Sequence, residues 1–152
     1  NPKKYNELYS KWGFIKANYI DNFQNILLRN RNNPDGIDNN WIWLNQRDKC
    51  YYWIGATFTS EYPKNLKDVK CIAVKLKSID NPEKRLFKYN EMDEFIDLNK
   101  FDDFISYFGI YNNHYHPNEI SAQLIENYYN SLFDIDVPNT ISYNILLDEF
   151  DL

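Results

Sequence analysis

Two histidines, His114 and His116, flank Tyr115, a spacing that puts both imidazoles on one side of an extended segment, as a pair of metal ligands would require. Two ligands do not complete a zinc site. A third would have to come from Cys50, Cys71 or a distant carboxylate, so the segment reads as a polar turn before Pro117 and no metal is expected there. Asp35 follows Pro34, and Asp68 with Lys70 lies 33 residues later, a superficial match to the PD-(D/E)xK pattern of metal-dependent nucleases. That chemistry asks for two carboxylates on one Mg²⁺ and a lysine near the attacking water. Asp35 falls in an Asn/Pro/Gly-rich loop instead of at a strand end, so a Mg-dependent nuclease using Asp35, Asp68 and Lys70 is the alternative reading, not the first.

Carboxylates dominate the second half of the chain. Residues 1–90 hold 16 Lys/Arg against 9 Asp/Glu, whereas residues 91–152 hold 13 Asp/Glu against Lys100 alone. One half is +7 and the other −12, a sharper feature than the net −5. A surface of one sign selects what approaches it and how fast. Asp93, Glu94 and Asp97 fall on one candidate helix, followed by Asp102 and Asp103, and an exposed patch of these five is expected. Asp93 and Asp97 would share a helix face and repel, which costs a few tenths of a kcal/mol. Tyr107 and Tyr111, next to the patch, are candidate aromatic anchors for a partner.

Other chemistries are poorly supported. Gly13, Gly36, Gly55 and Gly109 are scattered, so no phosphate-cradling loop exists and no cofactor is expected. Cys50 and Cys71 fall inside candidate strands and read as core, without a disulfide in a reducing compartment. Trp41, Trp43, Tyr51, Tyr52 and Trp53 could stack bases, but alternation along strands turns part of such a run inward as packing.

The elements that must position these groups follow from periodicity. Ile15, Tyr19, Phe23 and Ile26/Leu27 predict a helix over 14–29, ended by the turn-rich stretch 30–40. Trp41–Leu44 and Cys50–Phe58 predict a hairpin, Val69–Lys77 a third strand with lysines on its outer face, and Leu86–Tyr89 a fourth. Phe95, Leu98, Phe101, Phe104 and Phe108 fit one helix or two short ones, and Ile120, Leu124, Tyr128 and Leu132 mark a helix that opens at Pro117. Ile141, Tyr143, Ile145 and Leu147 alternate with other residues and predict a last strand. The expected fold is a single α+β domain over 1–152: an antiparallel sheet of about four to five strands, an N-terminal helix, and two or three helices in the acidic half.

At 152 residues one core can form without staples. No apolar run reaches the roughly 20 residues of a membrane span, and the opening residues lack an apolar signal core, so a cytoplasmic protein with no membrane contact is expected. In size, acidity and lack of a catalytic motif the chain is similar to bacterial immunity proteins that block nuclease toxins, and equally to phage-encoded inhibitors of host nucleases. The similarity implies a non-enzymatic binding protein that occludes the active or nucleic-acid-binding surface of a basic protein. It implies no direct contact with nucleic acid and no small-molecule cofactor.

Overall fold

Gly13 sets the first turn of the chain. Tyr5, Leu8, Tyr9 and Trp12 repeat at helical spacing behind Pro2, and the helix α1 (Pro2–Lys11) they form ends where Gly13 takes φ +87°, a region that favours glycine. A Cβ on Gly13 would lie 2.9 Å from the carbonyl oxygen of Leu44, so its small size matters as well. The computed structural model describes residues 2–21, 40–58, 65, 68–90, 92–110 and 115–152.

Past Gly13 the chain is extended, not helical. Phe14–Lys16 (β1) and Tyr19–Asp21 (β2) are strands, which overturns the helix expected from residue 14; the part of that expectation beyond residue 21 lies outside the described residues. The spacing of Ile15 and Tyr19 suits a helix, but Phe14 and Ile20 each find a sheet partner, and tertiary pairing overrides local pattern.

The predicted hairpin and strands are present as β3 (Trp41–Leu44), β4 (Tyr51–Phe58), β5 (Val69–Ser78) and β6 (Leu86–Tyr89). Ile42 faces Trp53, Trp53 faces Val74, and Leu76 faces Tyr89, all antiparallel. A short β7 (Ile96–Asp97) also pairs with β5. The sheet is larger than expected and mixed, because β2 runs parallel to β6 while β1 runs antiparallel to β3. Its order, β1-β3-β4-β5-β6-β2, places β1 and β2 at opposite ends although only Ala17 and Asn18 separate them. Three peptide steps span at most about 11 Å, so the sheet must curl until its two ends nearly meet. The joint is fixed by the Ala17 amide donating to the Asn40 carbonyl at 2.8 Å and the Asn18 amide donating to the Arg85 carbonyl at 2.9 Å.

Curling makes two cores. Ile20, Ile42, Trp53, Ile72, Val74, Leu76, Phe87 and Tyr89 fill the inside of the curl. Outside it, Trp43, Tyr52, Ile54 and Ala73 pack against α1 and three further helices: α2 (Asp102–Phe108), α3 (Pro117–Ser131) and α4 (Ile141–Phe150). Trp43 and Trp53, one turned each way, are both fully buried, so the aromatic hairpin is packing on both faces.

Two further expectations are corrected. Residues 95–101 form no α-helix: β7 is followed by a 3₁₀ helix at Leu98–Lys100, whose Asn99 amide donates to the Asp97 carboxylate at 3.0 Å. Asp favours such local caps over helix interiors. The strand expected over 141–147 is α4, since Thr140 caps it by accepting from the Tyr143 amide, and Tyr143, Leu146, Leu147 and Phe150 recur at three and four residues. Trp12 Nε1 donates to the Ser142 carbonyl and Trp43 Nε1 to the Trp12 carbonyl, both at 3.0 Å, tying α4 through α1 to the sheet.

Candidate protein-binding surface

The acidic residues singled out above are carried on three different local structures, so Asp93 and Asp97 do not share a helix face. Asp93 and Glu94 lie in the loop before β7, Asp97 ends β7, and Asp102 and Asp103 open α2. Glu94 and Asp102 are exposed, and Asp93 and Asp97 are half-buried. Asp103 is engaged within the molecule. Its Oδ2 accepts from Asn45 Nδ2 at 2.7 Å and its Oδ1 from Arg47 Nη1 at 2.5 Å. The hydrogen bond from Asn45, and after it the one from Arg47, holds this carboxyl below the usual carboxylate range against the opposing effect of burial.

Tyr107 is part of the helix–sheet packing. Its ring lies 4.8 Å from that of Phe108 and 6.1 Å from that of Trp43, and its hydroxyl donates to the Lys11 carbonyl at 3.4 Å. Burial raises the phenol's pKa. Tyr111 and His114 lie outside the described residues, as does Asp35.

Seven carboxylates of the acidic half, Glu94, Asp102, Glu126, Asp134, Asp136, Asp148 and Asp151, are exposed. Among the described residues, ion pairs reach two of its acids: Asp103 through Arg47, and Glu149 through Lys11. Both cations come from the basic half, so the two halves touch through these pairs while most of the negative charge faces solvent.

The remaining candidates show no assembled chemistry. His116 is buried and uses Nδ1 to accept from the Asn118 amide at 3.1 Å, which makes it the N-cap of α3. Asp68 Oδ2 accepts from the Asn65 amide at 3.2 Å, and Lys70 is exposed on β5. Among the described residues no group of three His, Cys, Asp or Glu is placed to hold a metal ion. Cys71 pairs across from Ala56, and Cys50 precedes β4; six residues of strand put them roughly 20 Å apart, several times the reach of a disulfide. Burial, and then the Asp97 carboxylate, push the Cys71 thiol up to about 11.

Two features were missed in the sequence. A cleft of about 420 Å³ between α1 and α3 is lined by Tyr5, Asn6, Tyr9, Asn118, Ser121 and Ile125. The Tyr9 hydroxyl donates to Asn118 Oδ1 at 2.9 Å and lies 3.3 Å from Ser121 Oγ, so these polar groups satisfy one another. The second is a group of large apolar side chains left in solvent where α3 ends: Tyr129, Leu132, Phe133 and Ile135. The stripe Ile120, Leu124, Tyr128, Leu132 simply runs past the core, its first two members buried, its third half-buried and its last exposed.

No family model, curated protein or solved structure matches the chain.

Proposed function

We propose that this is a small binding protein that neutralises a basic protein partner by covering its active or nucleic-acid-binding surface, acting in the cytoplasm as an immunity protein does against a nuclease toxin. The observation that carries the reading is the open display of acidic charge: seven exposed carboxylates on a half whose acids meet Lys or Arg side chains at two positions among the described residues. Carboxylates held in that way attract a cationic protein over several ångströms and match the phosphate charge its groove accepts. Charge complementarity of this kind speeds association more than it deepens affinity. The fold contributes stiffness, since α2 is pinned to the sheet by Phe104, Phe108 and the Asp103 contacts. Among the described residues no helix is long and apolar enough to cross a membrane.

The test is stopped-flow binding to the product of the adjoining gene at two salt concentrations. Reversing Asp93, Glu94 and Asp102 to Lys should slow association at least tenfold and flatten its salt dependence, with little change in melting temperature. Asp97 and Asp103 are left alone because each supports a local structure. Association that ignores both salt and the triple reversal would end the proposal.

A further inference from the structure

We infer that the turn closing α3 is the contact point for an apolar, Lys/Arg-bearing segment of that basic partner, with Leu132, Phe133 and Ile135 as anchors; the inference rests on the function proposed above. Tyr129, Leu132, Phe133 and Ile135 are 58%, 59%, 75% and 53% exposed, within seven consecutive residues. A single exposed apolar residue is ordinary, whereas four in one turn form a patch of the kind that marks an interaction site.

The backbone holds these side chains in a fixed array. The Ile135 amide donates to the Asn130 carbonyl at 3.2 Å and the Asp134 amide to the Ser131 carbonyl at 3.3 Å, which is the Schellman closure of a helix. Tyr143 Oη lies 3.4 Å from Ser131 Oγ, bracing the end against α4, and Val137 packs into the core just beyond. In a Schellman closure the left-handed position favours glycine, yet here Asp134 occupies it with φ +57°. An aspartate tolerates that position less well than glycine, as Asp151 does where α4 ends, and the charge of Asp134 faces the negative end of the helix dipole. Exposed apolar anchors and an unfavourable charge thus coincide in one turn, each a cost to the free monomer. Sequence choices that oppose stability together are what a binding site shows.

Charge complementarity selects the occupant. Asp134 and Asp136, both exposed, alternate with Phe133 and Ile135, and no Lys or Arg occurs anywhere in residues 101–152. An apolar segment edged with Lys or Arg fits this pattern; one edged with acids is repelled by it.

Two synthetic amphipathic peptides test the inference, one built of Leu and Lys and one of Leu and Glu, each titrated into the labelled protein while amide shifts are followed by NMR. The Leu/Lys peptide should perturb amides of residues 128–137, and the Leu/Glu peptide should not. Phe133→Ser, at a mostly exposed position, should keep the melting temperature and weaken the Leu/Lys peptide at least tenfold. Asp134→Gly should raise the melting temperature by about 3 °C as the backbone and dipole costs are relieved, yet weaken binding several-fold. Equal binding of both peptides, or perturbations centred on residues 92–103, would overturn the inference; the second outcome would leave the proposed function standing. Peptide binding at 128–137 with no salt-dependent capture of the adjoining gene product would keep the surface and remove the assigned partner.

Discussion

Arg47, in the turn between β3 and β4, reaches Asp103 at the start of α2, its Nη1 2.5 Å from Oδ1, and Asn45 from the same turn donates to the other carboxylate oxygen. A sheet of the basic half and a helix of the acidic half are joined by one carboxylate.

Asp103→Asn should therefore lower stability by about 1 kcal/mol at neutral pH, the scale of a partly exposed pair plus a charged hydrogen bond. Because the folded-state pKa is lowered, the Asp103 contribution is present above the unfolded value near 4 and fades as pH falls through that range. Denaturant melts between pH 7 and 3 should show the wild type approaching the variant in acid. A constant gap would place the loss elsewhere.

Tyr52 makes the opposite case at high pH. Burial, followed by its 2.7 Å hydrogen bond to Asp48, raises the phenol's pKa, so the folded protein keeps the proton while the unfolded chain releases it near pH 10. Stability from this group is complete below pH 10 and declines above it. Tyr52→Phe should cost about 1 kcal/mol at pH 7, and the gap to wild type should shrink between pH 10 and 11. Other tyrosines titrate in both proteins and cancel in the comparison.

Gly55 lies under the Trp53 indole inside the curl. A Cβ placed there would sit 1.9 Å from the indole Cη2, closer than any packing allows. Gly55→Ala should destabilise by about 2–3 kcal/mol, and the penalty should drop by half or more in a Trp53→Leu background. Additive losses in the double mutant would rule out this contact as the cause.

With its pKa near 11, Cys71 has about a thousandth of its thiol ionised at pH 8. Under native conditions it should resist iodoacetamide for hours and react promptly in denaturant. Mass spectrometry of the labelled peptides reads the result, and rapid native labelling of Cys71 would contradict its partial burial in β5 near the Asp97 carboxylate.

What could be read from the chain was whatever its neighbours in sequence decide. The hairpin and β5 announce themselves because aromatic and β-branched residues alternate between turn-forming stretches, and α3 does so through Pro117 and its stripe. Residues 141–150 carry two patterns at once: Ile141, Tyr143, Ile145 and Leu147 suit a strand, while Tyr143, Leu146, Leu147 and Phe150 suit a helix. Thr140 after Pro138 was the available tie-breaker, since a threonine cap favours the helix. Gly13 behind Tyr5, Leu8, Tyr9 and Trp12 was a similar signal for α1. Nothing local could reveal that Tyr19 would pair with Leu86. For the surface, the exposure of most acids follows from the scarcity of nearby cations, but the engagement of Asp103 depends on a turn far away in sequence. The apolar turn at 129–135 was hidden because its Leu132 continues a stripe that otherwise reads as core.

The joint at Ala17 and Asn18 also orders events during synthesis. Phe14 waits for Trp43 and Tyr19 for Leu86, while α1 waits for Asn118 and Ser121 on α3 and then for the Tyr5–Phe150 ring pair and the Lys11–Glu149 ion pair on α4. At translation rates of about 5–20 residues per second, the first twenty residues spend roughly 6–30 s without their final partners. Apolar Leu8, Trp12 and Phe14 lack their full packing throughout that interval, and α1 completes its contacts when residues 149–150 emerge, so two segments made far apart in time become structured together.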